Sequence, residues 1–295
     1  MFLAVSKKRL LSGLSVGAFG ILIVSLGNWW FSISLSLIVH LALLEFFRMA
    51  EFTGIRPATK TTLVACQILL FFTQLSSSGY VSNEISDAIL PLSGAAICGW
   101  LLLQPKTGSI SDIAASIFGL FYLGFLPSHW IKLRNLTDLD FFSGLQPLKV
   151  NYLGILTPGM SITFLACLMI VASDIGSYVI GCNFGKKPLS PISPSKTVEG
   201  AIGGLLSAML IGAIGGLLLK WNYGLTIGAI LGSFVAFFAL VGDLTESMMK
   251  RNAGIKDSGD VLPGHGGILD RIDSYLFTPA VIYYSLIIIL PVLNR

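Results

Sequence analysis

Nine long apolar stretches follow one another along the chain, separated by short polar segments. They cover approximately residues 10–27, 29–49, 61–80, 86–104, 109–127, 160–181, 198–219, 224–246 and 274–293. Each is close to the roughly 20 residues that a helix needs to cross about 30 Å of hydrocarbon. The stretches are continuous and do not alternate as the strands of a membrane barrel would. The pattern predicts an all-α polytopic membrane protein with about nine transmembrane helices.

The composition agrees with this class of protein. Of the 295 residues, 54% are hydrophobic and 12% are charged, and the mean hydropathy is +0.82. A soluble domain has too little interior to hide so much apolar surface. Lys7, Lys8 and Arg9 precede the first stretch, as in a signal peptide, but no small-residue cleavage site follows, so we expect a retained first helix. The net charge of +4 gives no case for a nucleic-acid partner.

The basic residues predict the orientation in the lipid bilayer. With the N-terminus inside, one set of loops holds fourteen of the nineteen Lys and Arg residues and the other set holds five. Cytoplasmic loops carry the excess of positive charge. We therefore expect a cytoplasmic N-terminus, cytoplasmic polar motifs, and an external loop over residues 128–159.

The chain divides into two parts by the placement of its polar residues. Residues 1–159 carry few internal charges and are interpreted as scaffold helices, whereas residues 160–295 hold the polar motifs and are interpreted as the catalytic half of one membrane unit. In the scaffold, His40, Glu45, Arg48 and Glu51 fall at the end of the second stretch. The spacing of Glu45 and Arg48 indicates either a helix pair at the membrane interface or side chains that extend from the helix end to water. Pairs of glycines four residues apart in the seventh stretch predict close helix packing, either within one chain or at a homodimer seam.

A cluster of acidic residues lies at the end of the eighth stretch and the start of the ninth. Asp243, Glu246, Ser247 and Lys250 share one helix face by their spacing. Asp270 and Asp273 likewise project together if a helix begins there. Carboxylate oxygens are the ligands that Mg²⁺ prefers, so Asp243, Asp270 and Asp273 are candidate metal ligands. The alternative is that these acids only form ion pairs with nearby basic residues.

The segment between these acids combines glycines with positive charge. Gly264, His265, Gly266 and Gly267 form a GHGG sequence whose amides are able to surround a phosphate, although a plain flexible loop has the same composition. A loop histidine is more often only solvated than a general acid. Cationic side chains beside a divalent metal are typical of phosphoryl-type transfer. The basic candidates are Lys250, Arg251, Lys256 and Arg271.

A second polar patch covers residues 173–200. Asp174 and Ser177 lie at the end of the sixth stretch, and a loop with lysines and hydroxyl groups leads into the seventh. Ser195 or Thr197 is expected to cap the seventh helix, and the same helix start is a candidate anion site. The loop candidates are Lys186, Lys187, Ser193, Lys196 and Glu199.

Together these residues resemble the phosphatidate cytidylyltransferase family, also called CDP-diacylglycerol synthase. The signature of that family is matched over residues 247–273, and GDLTES and SPSKTVEG also resemble its motifs. The resemblance is specific over residues 170–275 and only hydropathic before them. The matching signature positions are Ser247, Lys250, Arg251, Lys256, Asp257, Pro263, His265, Gly266, Gly267, Asp270, Arg271 and Asp273.

The resemblance implies a membrane enzyme that joins CTP to phosphatidic acid, releases pyrophosphate and requires Mg²⁺, with room for a second metal ion such as K⁺. It implies metal binding by Asp243, Asp270 and Asp273. It implies catalytic roles for Lys250, Arg251, Lys256, His265 and Arg271. It implies substrate binding by Asp174, Lys186, Ser193, Lys196, Thr197, Glu199, Ser247, Asp257, Gly266 and Gly267. Ser195 and Ser177 depart from the family pattern, where Lys and Ala are common.

Two other functions remain open on the sequence alone. A CTP-dependent kinase of a polyprenol or phytol-like alcohol would need a base for a neutral hydroxyl group and would yield CDP. A cation transporter also places acids in the membrane, but here the acids cluster at one predicted membrane face. The sequence leaves open whether the protein forms a homodimer.

Overall fold

The computed structural model describes residues 7–136, 157–221, 223–259 and 266–289, which are almost entirely helical. The long helices are α1 (Lys7–Leu26), α2 (Asn28–Phe52), α3 (Thr59–Ser77), α4 (Asn83–Leu102), α7 (Pro158–Phe184), α8 (Val198–Leu218) and α9 (Gly224–Asn252). The shorter ones are α5 (Ile110–Gly119), α6 (Leu126–Arg134), α10 (Leu269–Ile272) and α11 (Thr278–Tyr284). The predicted helical class is confirmed. A hairpin of two antiparallel strands, β1 (Pro188–Ser190) and β2 (Ser193–Thr197), was not predicted.

Six helical segments among the described residues are long and apolar enough to cross a membrane. They are α2, α4, residues 110–134 as one segment, α7, α8 and α9. The predicted count of nine is not confirmed. The predicted ninth span differs most, since the chain forms α10, a 3-10 turn at Asp273–Tyr275, α11 and a π-helical turn at Ser285–Ile289. Pro279 at the start of α11 has no N–H to continue a helical ladder from the preceding turn.

The segment 110–134 extends further than the apolar pattern predicts. A π-helical turn at Leu120–Phe125 joins α5 to α6, which continues to Arg134, so the predicted external loop does not begin at residue 128. Trp130 is buried in α6, and its Nε1 donates a hydrogen bond to the Tyr275 carbonyl at 3.0 Å. Residues 137–156 of that loop lie outside the described residues. The contact shows that a helix of the first half holds the segment that follows Asp273.

Glycines set the packing of α7, α8 and α9. A Cβ at Gly212 would meet the Gly228 carbonyl, and one at Gly216 would meet the Gly224 carbonyl, so the backbones of α8 and α9 touch directly. On the other side of α8, a Cβ at Gly204 would meet the Ser177 hydroxyl of α7. The predicted close packing is confirmed within one chain. The position of α7 and α9 relative to each other follows from this packing.

Gly228→Ala is expected to destabilise the protein by about 1–3 kcal/mol, because the new methyl group meets backbone atoms of α8 that have no rotamer to change. Gly99→Ala in α4 is the matched control, since a Cβ at that position meets nothing within 4 Å. The thermal midpoint of each detergent-solubilised variant measures the effect. Equal midpoints for the two variants would contradict the proposed backbone contact.

Candidate active site

A polar cavity of about 720 Å³ lies where α7, the β-hairpin, the start of α8, the end of α9 and the α10 segment meet. The two polar motifs of the sequence, which are far apart along the chain, therefore line a single space. Several predicted site residues are in its wall. These are Asp174, Lys196, Thr197, Asp243, Asp270 and Asp273.

Three carboxylates form a close group beside this cavity. Asp243, Glu246 and Asp273 each offer an oxygen atom, and these atoms all lie within 4.8 Å of one another. Asp243 and Glu246 are one turn apart on α9, and Asp273 begins the 3-10 turn. Gly242 permits this approach, because a Cβ there would collide with the Asp273 carbonyl. Residues from two separate segments of the chain thus converge.

The donor set of this group fits a hard divalent cation. It contains only carboxylate oxygens, and Glu246 is fully buried with Lys250 as an ion-pair partner. Buried carboxylates that are close together need a counter-charge. Burial, together with the negative charges of Asp243 and Asp174, raises the pKa of the Asp273 carboxyl. A bound cation would oppose that shift.

Two lysines bring positive charge to the acids. Lys196 of β2 forms an ion pair with Asp243. Lys250 lies between two acids, with Nζ 2.5 Å from Glu246 Oε2 and 2.6 Å from Asp270 Oδ1. The alternative interpretation, in which acids pair with nearby bases, therefore describes Asp243, Glu246 and Asp270. Asp243 and Glu246 also belong to the carboxylate group, together with Asp273.

Asp270 is held by the protein at both of its oxygens. Oδ1 accepts from Lys250, and Oδ2 accepts from the amides of Ser258 at 2.9 Å and Gly267 at 2.8 Å. The Ser258 hydroxyl oxygen lies 3.0 Å from Oδ2, and its single proton is shared with Glu45. Burial acts to raise the pKa of Asp270, but hydrogen bonds with Glu246, with Lys250 and with the amides of Gly267 and Ser258 outweigh it and hold that pKa well below its usual range. Its metal-binding role stays a prediction. Glu246, which the sequence places on the face of Asp243, takes the third position in the group.

The GHGG segment is partly described. Gly266 has a φ of +78°, a conformation that favours glycine, and the Gly267 amide is already engaged by Asp270. His265 lies outside the described residues, as do Pro263 and Gly264, so the catalytic role of His265 stays a prediction.

The hairpin places the second polar motif. Thr197 caps α8, since its hydroxyl accepts from the Gly200 amide at 3.1 Å, which confirms the predicted cap. Glu199 accepts from the backbone amides of Lys186 and Lys187 at 3.0 and 3.3 Å. Glu199 thus fixes the loop in this structure, and its predicted contact with substrate is not tested.

The remaining predicted residues surround the site. Ser193 is half-buried in β2, and Ser247 is buried in α9. The exposed residues are Lys186, Arg251, Lys256, Asp257 and Arg271. Their contacts with phosphate groups stay predictions, since none of them is among the residues that line the cavity.

The sequence interpretation of Glu45 is wrong. This residue is only 5% exposed, and its carboxylate accepts hydrogen bonds from the Ile268 and Leu269 amides and the Ser258 hydroxyl. Arg48 instead lies over the Phe52 ring, 5.7 Å from its centroid. The available signal was an acid with apolar residues on both sides in a predicted span.

A second contact from the first half is that of the buried Tyr122, whose hydroxyl lies 3.5 Å from the Gly242 carbonyl.

Comparison with known proteins gives a consistent result. A phosphatidate cytidylyltransferase of Synechocystis sp. is 46% identical over 285 residues, which are 94% of each chain. Phosphatidate cytidylyltransferase 4, chloroplastic, of Arabidopsis thaliana is 34% identical over 94% of this chain and 72% of its own. A phosphatidate cytidylyltransferase of Bacillus subtilis is 30% identical over 95% of this chain and 97% of its own. The model of the cytidylyltransferase family matches residues 7–289, and the chain therefore belongs to that family.

Proposed function

We propose that this protein is a CTP:phosphatidate cytidylyltransferase, which converts CTP and phosphatidic acid to CDP-diacylglycerol and pyrophosphate. The observation that carries the proposal is the convergence of Asp243, Glu246 and Asp273 beside a polar cavity that also contains Lys196. Relatives with this printed name align over nearly the whole chain. The enzyme is accordingly a nucleotidyltransferase of phospholipid biosynthesis.

The chemistry requires little proton transfer. A phosphate oxygen of phosphatidic acid is already anionic at neutral pH, so it attacks the α-phosphorus of CTP without a strong general base. A new P–O bond forms, the bond from that phosphorus to the bridging oxygen breaks, and pyrophosphate leaves with the electron pair. The main barrier is the repulsion between two anions. Positive charge placed before the reaction, here on Lys196 and Lys250, lowers that barrier.

The carboxylate group is the proposed metal site. Asp243 and Asp273, together with Glu246, would hold Mg²⁺. Bound Mg²⁺ would neutralise charge on the CTP phosphates and the departing pyrophosphate. The second ion, such as K⁺, is retained from the family resemblance. Lys196 would exchange its partner Asp243 for a substrate phosphate when nucleotide and metal enter.

The membrane setting suits both substrates. The protein is multi-pass, and the site lies at the end of α9, where an apolar helix meets polar segments. The acyl chains of phosphatidic acid would remain in lipid while CTP enters from water. The distribution of Lys and Arg supports a cytoplasmic site and N-terminus. A homodimer is retained as a proposal from the family resemblance.

The product of turnover tests the proposal. Purified protein with CTP, Mg²⁺ and phosphatidic acid is expected to form CDP-diacylglycerol and pyrophosphate in equal amounts, because the nucleophile attacks the α-phosphorus. Omitting phosphatidic acid, or replacing it with a polyprenol, is the control and is expected to give no product. Formation of CDP from CTP with phosphorylation of the polyprenol would favour a lipid kinase. Ion flux without turnover would favour a transporter, and either result would overturn the proposal.

A further inference from the structure

Glu45 connects the first half of the chain to the proposed active site. Its carboxylate accepts from the Ile268 amide at 2.9 Å, the Leu269 amide at 2.8 Å and the Ser258 hydroxyl at 2.9 Å. The donors are 213 to 224 residues away along the chain. They lie between the end of α9 and the first residue of α10, in a part of the chain that carries much of the family signature. A helix outside that signature therefore holds it.

The segment is shaped around this carboxylate. A Cβ at Gly259 would lie 2.7 Å from Glu45 Oε1, and a Cβ at Gly267 would also collide with the Glu45 carboxylate. Two glycines thus give the carboxylate access to the backbone.

The contact continues to the acids of the site. Ser258 Oγ lies within hydrogen-bond distance of both Glu45 Oε2 and Asp270 Oδ2, and the Ser258 amide donates to Asp270 as well. Asp270 in turn binds Lys250, which binds Glu246. A continuous series of polar contacts therefore runs from Glu45 to the carboxylate group. Displacement of the Ser258 segment would move Asp270 and, through it, Lys250.

A buried carboxylate is costly unless donors surround it. Here two backbone amides and one hydroxyl meet that need. Replacement by glutamine would turn an NH₂ group toward at least one of these donors, because both carboxylate oxygens are used. At least one buried amide or hydroxyl would then lose its acceptor. The segment would shift to restore its hydrogen bonds.

We propose that Glu45 is a positioning residue of the active site, which sets the places of Asp270 and Lys250 through Ser258. This inference rests on the proposed function for its effect on turnover. It assigns part of the reaction geometry to α2, a helix that the sequence pattern assigns to the scaffold. Glu45 contacts neither reacting group and acts only through its neighbours.

Glu45→Gln is expected to lower kcat roughly 10- to 100-fold with a smaller change in KM for CTP, because small displacements of catalytic groups have effects of this size. Glu45→Asp keeps the charge and is expected to recover part of the loss. Glu51→Gln is the matched control on the same helix, since Glu51 is exposed. Hydrogen exchange in the peptide that contains the Ile268 and Leu269 amides, measured without CTP or metal, is expected to be faster in Glu45→Gln only.

The exchange measurement separates this inference from the proposed function. If the wild-type protein makes no CDP-lipid, the proposed function is refuted. The exchange rate of the Ile268 and Leu269 amides still shows whether Glu45 holds this segment. Exchange and kcat in Glu45→Gln equal to those of Glu51→Gln would overturn the inference. If Glu45→Gln does not fold, Ser258→Ala is used, and it is expected to lower kcat with faster local exchange. Normal kcat and exchange in that variant would also overturn it.

Discussion

Asp273→Asn is expected to lower turnover by roughly 10²- to 10³-fold or more, a loss comparable to that of a major electrostatic contact at a reaction centre. Asp273 follows α10 and is the member of the carboxylate group that does not belong to α9. One of its oxygens lies within 4.8 Å of oxygens of Asp243 and Glu246. Asparagine keeps the shape but removes one negative charge, so a divalent ion binds more weakly. The measurement is the initial rate of CDP-lipid formation across a range of Mg²⁺ concentrations.

The matched control is Asp87→Asn, which makes the same chemical change at an exposed position in α4. It is expected to keep the wild-type rate. Both variants are expected to insert and purify like the wild type, because the change conserves volume. A near-normal rate for Asp273→Asn at low Mg²⁺ would contradict the assignment of this carboxylate to the metal.

The helical class of this protein was predictable because the bilayer restricts the choices. Within hydrocarbon every backbone amide and carbonyl needs an internal partner, so long apolar stretches without alternation have to be helices. The count of spans was less predictable. Around Pro279 the chain forms short helical pieces instead of one rod, and the apolar pattern is the same for both.

Local contacts of the site were also predictable, whereas distant ones were not. The cap at Thr197 depends on residues three positions apart, and the sequence indicates it directly. Glu45 lies more than 200 residues from its partners, so no spacing rule relates them. Its position among apolar residues was a signal that the sequence interpretation did not use, and the partners depended on how α2 packs against the α10 segment.

For the acids of the site, too, the sequence predicts which residues share a helix face but not which of them meet in space. The sequence places Asp243 and Glu246 on one helix face, and Asp270 and Asp273 on another. Spacing alone does not say which three of these acids converge. That choice follows from the turn at Gly266 and Gly267, which brings an amide to Asp270, and from the reach of Lys250 across to it. Glu246 rather than Asp270 completes the close group.

Asp270→Asn is expected to lower turnover by roughly 10²-fold, and added Mg²⁺ is not expected to restore it. Oδ1 accepts from Lys250, and Oδ2 accepts from Ser258 and Gly267. Whichever way the asparagine amide turns, its NH₂ group faces a donor, so at least one hydrogen bond is lost. The positive charge of Lys250 also loses the negative charge of Asp270. A small displacement of a group that acts at the reaction centre has effects of this order.

The Mg²⁺ dependence of Asp270→Asn decides between the two roles of this residue. If Asp270 anchors Lys250 and the Ser258 segment, its replacement lowers kcat and leaves the half-saturating Mg²⁺ concentration nearly unchanged. As a metal ligand, it would raise that concentration, as expected for Asp273→Asn, and high Mg²⁺ would return much of the rate. Recovery at high Mg²⁺ would therefore contradict the anchoring role and would favour the metal ligand set of Asp243, Asp270 and Asp273 that the sequence predicts.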